Sequence, residues 1–153
     1  VSDGCYYTGK QPSVPQLVNG AMKILSGLKW LNEPIHYPKS LIDTCLAYEP
    51  ATKGCDLVNV VYVLYRCNEE VSYREKDIRR YCFYLLDMIK EHQKPDGGFS
   101  YYTKHSQRSY YGLPITRGLV ESDMHGTVLL TWALVMIVEL IDLNKADWKV
   151  IKP

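Results

Sequence analysis

Five segments with helical apolar periodicity, separated by helix-stop signals, confine this chain to a helical fold. The clearest stop is Gln93-Lys-Pro-Asp-Gly-Gly-Phe99, which follows a strongly amphipathic stretch. Pro95 cannot continue a helix, and Gly97 and Gly98 admit backbone conformations closed to other residues. A fainter copy stands near the N-terminus, where Asp3-Gly-Cys-Tyr-Tyr-Thr8 matches Asp96-Gly-Gly-Phe-Ser-Tyr-Tyr-Thr103. An apolar helix pattern follows each copy, as stacked helical hairpins require.

The first helix is expected from Ser13 to about Asn32, with Leu17, Ala21, Ile24, Leu25, Leu28 and Leu31 on one face. Ser13 and Gln16 have the spacing of a capping box. Pro38 is a natural first-turn residue for a second helix, which ends at Glu49-Pro-Ala-Thr-Lys-Gly54. The third segment, Asp56 to Cys67, is rich in valine, yet it is too long for an ordinary strand. A helix buried on all sides is the expectation. Ser72 and Glu75 suggest a capping box for the fourth helix, whose apolar face carries Ile78, Cys82, Leu85 and Ile89. A long connection from about Lys94 to Ser122 precedes the last helix, expected from Asp123 to about Leu143 and capped by Ser122. Polar Asn144-Lys-Ala-Asp147 marks its end. The first, third and fifth helices are largely apolar and the others amphipathic. That alternation suggests inner and outer helices.

Composition narrows the function classes. The chain of 153 residues carries a net charge of +1, and its densest basic run, Arg74 to Arg80, is interleaved with acids. No large electrostatic field invites nucleic acid or an anionic membrane. The longest uncharged apolar stretch, Met124 to Val138, is shorter than the ~18–20 residues a membrane span needs. Five cysteines at wide spacings, with no Cys-x-x-Cys pair, suit a reducing, cytoplasmic setting. Thirteen tyrosines against two phenylalanines make tyrosine the outlier, with pairs at Tyr101-Tyr102 and Tyr110-Tyr111. Tyrosine couples a large apolar body to a polar tip and collects at interfaces and clefts.

Gln93-x-x-x-Gly97-x-Phe99 resembles the Gln/Trp motif of the terpenoid cyclase and protein prenyltransferase superfamily, with Phe in place of Trp. Glu121-Ser-Asp-Met-His-Gly-Thr-Val-Leu-Leu-Thr-Trp-Ala-Leu134 looks like the inner helix that follows that motif. The resemblance is best over roughly residues 75–140. It implies an α/α toroid, with inner helices around a cavity and outer helices outside them. The cyclases' Asp-x-Asp-Asp and Asp-Asp-x-x-Asp motifs do not occur here. Asp3-Gly-Cys5 has the local spelling of the prenyltransferases' zinc-binding Asp-x-Cys, with His125 as a conceivable third ligand. A loop follows that pair, where the family has an inner helix.

Within the motif, Gln93 is expected to satisfy free carbonyls at the helix end and Phe99 to seal neighbouring helices. Glu121, Asp123 and His125 form the sharpest ionisable cluster, at the head of the last helix. A histidine beside carboxylates can act as a general base, while acids at a helix start also serve the macrodipole. Asn19 and Asn59 occupy equivalent places on two inner helices and can form a polar ring with His125. His105, Arg108, Tyr110 and Tyr111 lie on the long loop.

The expected fold is therefore all-α, with helical hairpins forming a partial α/α toroid over the single domain 1–153. Because the chain opens at Val1 and mid-repeat, a missing segment or a partner chain is expected to complete the ring. The leading functional expectation is a cavity for an isoprenoid or sugar-like (carbohydrate) substrate. Asp123 and His125 would be catalytic; Asn19, Asn59, Glu121, Tyr110 and Tyr111 would bind substrate, and no cofactor or metal is required. The alternative is a non-catalytic helical scaffold that binds protein or glycan through its Tyr-rich loop.

Overall fold

A computed structural model describes residues 3–143 and is built mostly from helices. In chain order they are α1 (Val14–Leu31), α2 (Pro38–Leu46), α3 (Gly54–Glu70), α4 (Glu75–Lys90) and α5 (Met124–Leu140). The long connection also holds a two-stranded antiparallel hairpin, β1 (Ser109–Tyr110) with β2 (Leu113–Pro114). Its two-residue turn, Tyr111-Gly112, has positive φ at both positions (47° and 81°). That is the backbone a tight hairpin needs, and Gly112 supplies one half of it without steric cost. A tyrosine at the other half hid the turn from sequence reading.

α3 is the centre of the molecule. Its valines cost a few tenths of a kcal/mol each in helix propensity, roughly. Burial outweighs that: Leu57, Val58, Val60, Val61, Val63 and Leu64 are all essentially inaccessible. Each such side chain contributes on the order of 1.5–3 kcal/mol as an upper estimate. α1, α2, α4 and α5 all pack against α3. Among the described residues α1 and α5 each meet α3 and not one another, while α2 meets α4. The apolar helices thus form one row, α1–α3–α5, and the amphipathic pair α2–α4 a second. The alternation read from the sequence corresponds to these two rows.

Helix termini differ from expectation in several places. α1 begins as expected, and Gln16 Oε1 accepts from both the Ser13 backbone N–H (3.0 Å) and the Ser13 hydroxyl (2.9 Å). α4 is not capped by Ser72. Its N-cap is Arg74 in the left-handed region (φ 52°), and the Arg74 guanidinium reaches Asp77 and Asp43. The cap of α5 is Asp123 rather than Ser122, because only Asp123 places its carboxylate over the Gly126 N–H. α3 starts at Gly54, two residues before Asp56, and α5 ends at Leu140 rather than Leu143. The stop signal expected at Asn144–Asp147 lies outside the described residues.

The Asp-Gly-Gly-Phe segment is a tight turn joined to the head of α5. The Lys94 N–H donates to the Gly98 carbonyl at 2.9 Å, and Gly97 takes φ 89°. Asp96 accepts from the Gly98 N–H (3.3 Å) and from both the N–H and hydroxyl of Ser122 (3.0 Å each). These donors hold the Asp96 carboxyl below its ordinary pKa. Thr127 Oγ1 accepts from the Phe99 N–H and donates to its carbonyl, both at 3.0 Å. Gln93 does not satisfy helix-end carbonyls as expected: its side chain is exposed, and it pairs with Phe99 through the backbone. The N-terminal copy repeats the local geometry. Asp3 Oδ1 accepts from the Cys5 N–H at 2.9 Å, and Gly4 is left-handed at φ 73°.

Candidate functional site

The head of α5 is fixed by a buried carboxylate. Asp123 is only 6% exposed. Its Oδ1 accepts from the Gly126 N–H at 2.6 Å, and its Oδ2 accepts from the N–H groups of Tyr101 (2.8 Å) and Gln107 (2.9 Å). One side chain therefore caps the helix and ties two points of the long loop to it. Gly126 makes the approach feasible, since a Cβ there would lie 2.3 Å from the backbone of Ser100 and Tyr101.

This arrangement places His125 in a cavity. The cavity has a volume of about 420 Å³ and is lined by Tyr110, Ile115, Thr116, Asp123, Met124, His125 and Val128. His125 Nδ1 lies 2.7 Å from Gln107 Oε1. Gln107 in turn donates its amide N–H to the Ser109 carbonyl at 3.0 Å. That donation fixes the amide orientation, so the oxygen faces His125. An oxygen facing Nδ1 requires Nδ1–H, which leaves the lone pair on Nε2. Tyr101 stacks on the imidazole at 4.9 Å and 15°, and Tyr110 meets it edge-on at 5.1 Å. Burial pushes the His125 pKa below its ordinary value, with the Asp123 charge opposing. The result is a neutral imidazole of fixed plane and fixed tautomer, set among mostly apolar side chains.

A second contact backs the stacked ring. Tyr101 Oη lies 2.7 Å from Cys55 Sγ, on the first turn of α3. Burial raises both pKa values. The pair thus stays protonated and acts as a neutral hydrogen bond between the loop and α3.

The expected site residues are only partly gathered. Tyr110, Asp123 and His125 line one cavity; Asn19, Asn59, Glu121 and Tyr111 do not line it. His125 bonds to Gln107 rather than to Asp123, whose two oxygens receive backbone donors. Asn19 and Asn59 are the sixth residues of α1 and α3, whereas the sixth residue of α5 is Leu129. His125 is the second residue of α5, so its place within its own helix is not equivalent to that of the two asparagines. Asn59 is 7% exposed within α3. Glu121 accepts from the Ser106 hydroxyl at 3.4 Å. Tyr111, 91% exposed, occupies the hairpin turn and packs edge-on against Tyr110.

Asp3, Cys5 and His125 do not come together as metal ligands: among the described residues no three His, Cys, Asp or Glu side chains form such a group. Asp3 is held by the Cys5 N–H, the Tyr7 hydroxyl and the Gln11 amide. Burial pushes the Cys5 thiol up to about 11, so it rests as the neutral thiol. Gln107 was not signalled by the sequence, because nothing local distinguishes an uncharged amide in a loop from any other.

Comparison of the chain with protein-family models, with curated proteins and with solved structures finds no match.

Proposed function

We propose that the chain forms hairpins of a partial α/α toroid, of the terpenoid cyclase and prenyltransferase kind, and that its cavity binds a small, largely apolar ligand bearing one hydroxyl or other acidic proton. Support for the architecture comes from the two rows of helices. Ile24 on α1 is exposed at one end of the inner row, where further hairpins of the same or a partner chain would continue a ring.

The observation that carries the ligand reading is the Ser109–Gln107–His125 relay inside an apolar pocket. A volume near 420 Å³ falls within the usual range of small-molecule sites. Its lining offers few hydrogen-bonding groups, which suits an isoprenoid-like chain better than a sugar. Nε2 is the acceptor that would orient the ligand's proton, and the same nitrogen is the group available for general-base chemistry. In this reading Asp123 is a positioning residue, and Tyr110 packs on the bound chain.

Titration with prenyl alcohols of about 10–15 carbons, a size suited to such a pocket, tests this directly. Imidazole ¹⁵N shifts would report hydrogen bonding at His125 Nε2, and His125→Ala would weaken binding at least ~10-fold, the worth of one buried hydrogen bond. Binding unchanged in that variant, or a disaccharide that binds better than any prenyl alcohol, overturns the reading.

A further inference from the structure

The net charge of +1 conceals a local asymmetry. Between residues 97 and 120 there is no Asp or Glu, while Lys104, Arg108 and Arg117 fall in that span. All three are exposed, and none forms an ion pair among the described residues. The same segment exposes large apolar side chains: Leu113 is 70% and Val120 71% accessible, and Met124 on the cavity wall reaches 82%. The hairpin register places Leu113 opposite Tyr110, which lines the cavity with Met124. Exposed apolar groups at a cavity mouth, with unpaired cations close in the chain, mark an interaction surface.

We propose that this hairpin and the cavity mouth dock on an anionic lipid surface. Aliphatic side chains would enter the headgroup–acyl boundary, tyrosines would sit at its level, and the three cations would meet lipid phosphates and carboxylates. Among the described residues no helix is long and apolar enough to cross a membrane, so the contact is peripheral. Exposed Leu113 on the hairpin, Val120 on the same connection and Met124 on the cavity wall distinguish a lipid from a glycan, which would need hydrogen-bonding groups there instead. Docking would open the cavity toward a reservoir of apolar molecules. That consequence rests on the ligand reading above; the docking itself does not.

Vesicle flotation tests the proposal, with phosphatidylcholine vesicles compared against vesicles of phosphatidylcholine and phosphatidylserine in low salt. Binding is expected only with phosphatidylserine. Lys104→Gln with Arg117→Gln should weaken it roughly 30-fold, as the loss of two near-surface cations implies. Leu113→Ser with Val120→Ser should weaken it as well, and circular dichroism would check that both variants are folded. Flotation is read with no prenyl alcohol present, so failure of the ligand reading leaves this test intact. Absence of vesicle binding overturns the proposal. So does vesicle binding that both double variants leave unchanged, or retention on heparin without flotation, which would assign the surface to an acidic glycan.

Discussion

Replacing Asp123 separates a structural carboxylate from a catalytic one. Three backbone N–H groups converge on it at 2.6, 2.8 and 2.9 Å. Hydrogen bonds to a charged acceptor are worth roughly 1.5–3 kcal/mol each, and the helix cap alone about 1 kcal/mol. Removing all three with Asp123→Ala would cost on the order of 4–6 kcal/mol after partial relaxation, which approaches the whole stability of a domain. Asp123→Asn is the more informative variant. It keeps one carbonyl oxygen and turns an NH₂ toward a donor that the carboxylate had satisfied. The expected cost is about 2–3 kcal/mol, or a fall in Tm of roughly 5–10 °C. Urea denaturation followed by far-UV circular dichroism measures it, with His125→Ala as the comparison, expected to lose less than about 1 kcal/mol. If Asp123→Asn keeps its stability within about 0.5 kcal/mol and loses only ligand binding, the carboxylate acts on ligand and the cage described here is wrong.

Two further outcomes follow from the same geometry. Gly126→Ala would drive a Cβ into the Ser100–Tyr101 backbone at 2.3 Å; thermal denaturation should show a loss of about 3 kcal/mol or failure to fold, against near-neutrality if the loop can retreat. Burial lowers the pKa of both His92 and His125. The unfolded chain then binds more protons than the folded one near and below pH 6.5, so stability rises with pH there. It should be fully present above about pH 6.5 and decline as pH falls through the depressed folded values. Urea midpoints between pH 7 and pH 5 measure the slope, and a flat profile would contradict the buried neutral imidazoles.

Much of the helical frame was legible because its signals are local. Pro38 opens α2, Gln16 reaches back to Ser13, and Gly97 takes the left-handed turn after α4. The valine-rich segment resolved as a helix because its length exceeded that of a strand, and burial then made its poor propensity irrelevant. Caps were less legible. Ser72 and Ser122 have suitable chemistry, yet Arg74 and Asp123 hold the N-cap positions. A cap is selected by where the chain enters the helix, and packing against the neighbouring loop decides that. The hairpin in the long connection was hidden because Tyr111 adopts positive φ, which its residue type does not announce.

The candidate site divides along the same line. Sequence alone marked the head of the last helix, His125 and the Tyr-rich loop, since an ionisable group beside a very apolar run stands out by composition. It also fixed the repeated Asp-Gly turn, because an aspartate that accepts the N–H two residues on and a left-handed glycine are properties of a few adjacent residues. Only tertiary structure decided what each group does. It set Asp123 beneath three backbone donors, gave His125 to Gln107 instead, and left Asn19 and Asn59 out of the cavity that His125 lines. Those outcomes depend on contacts between residues far apart in the chain, which a local pattern does not carry.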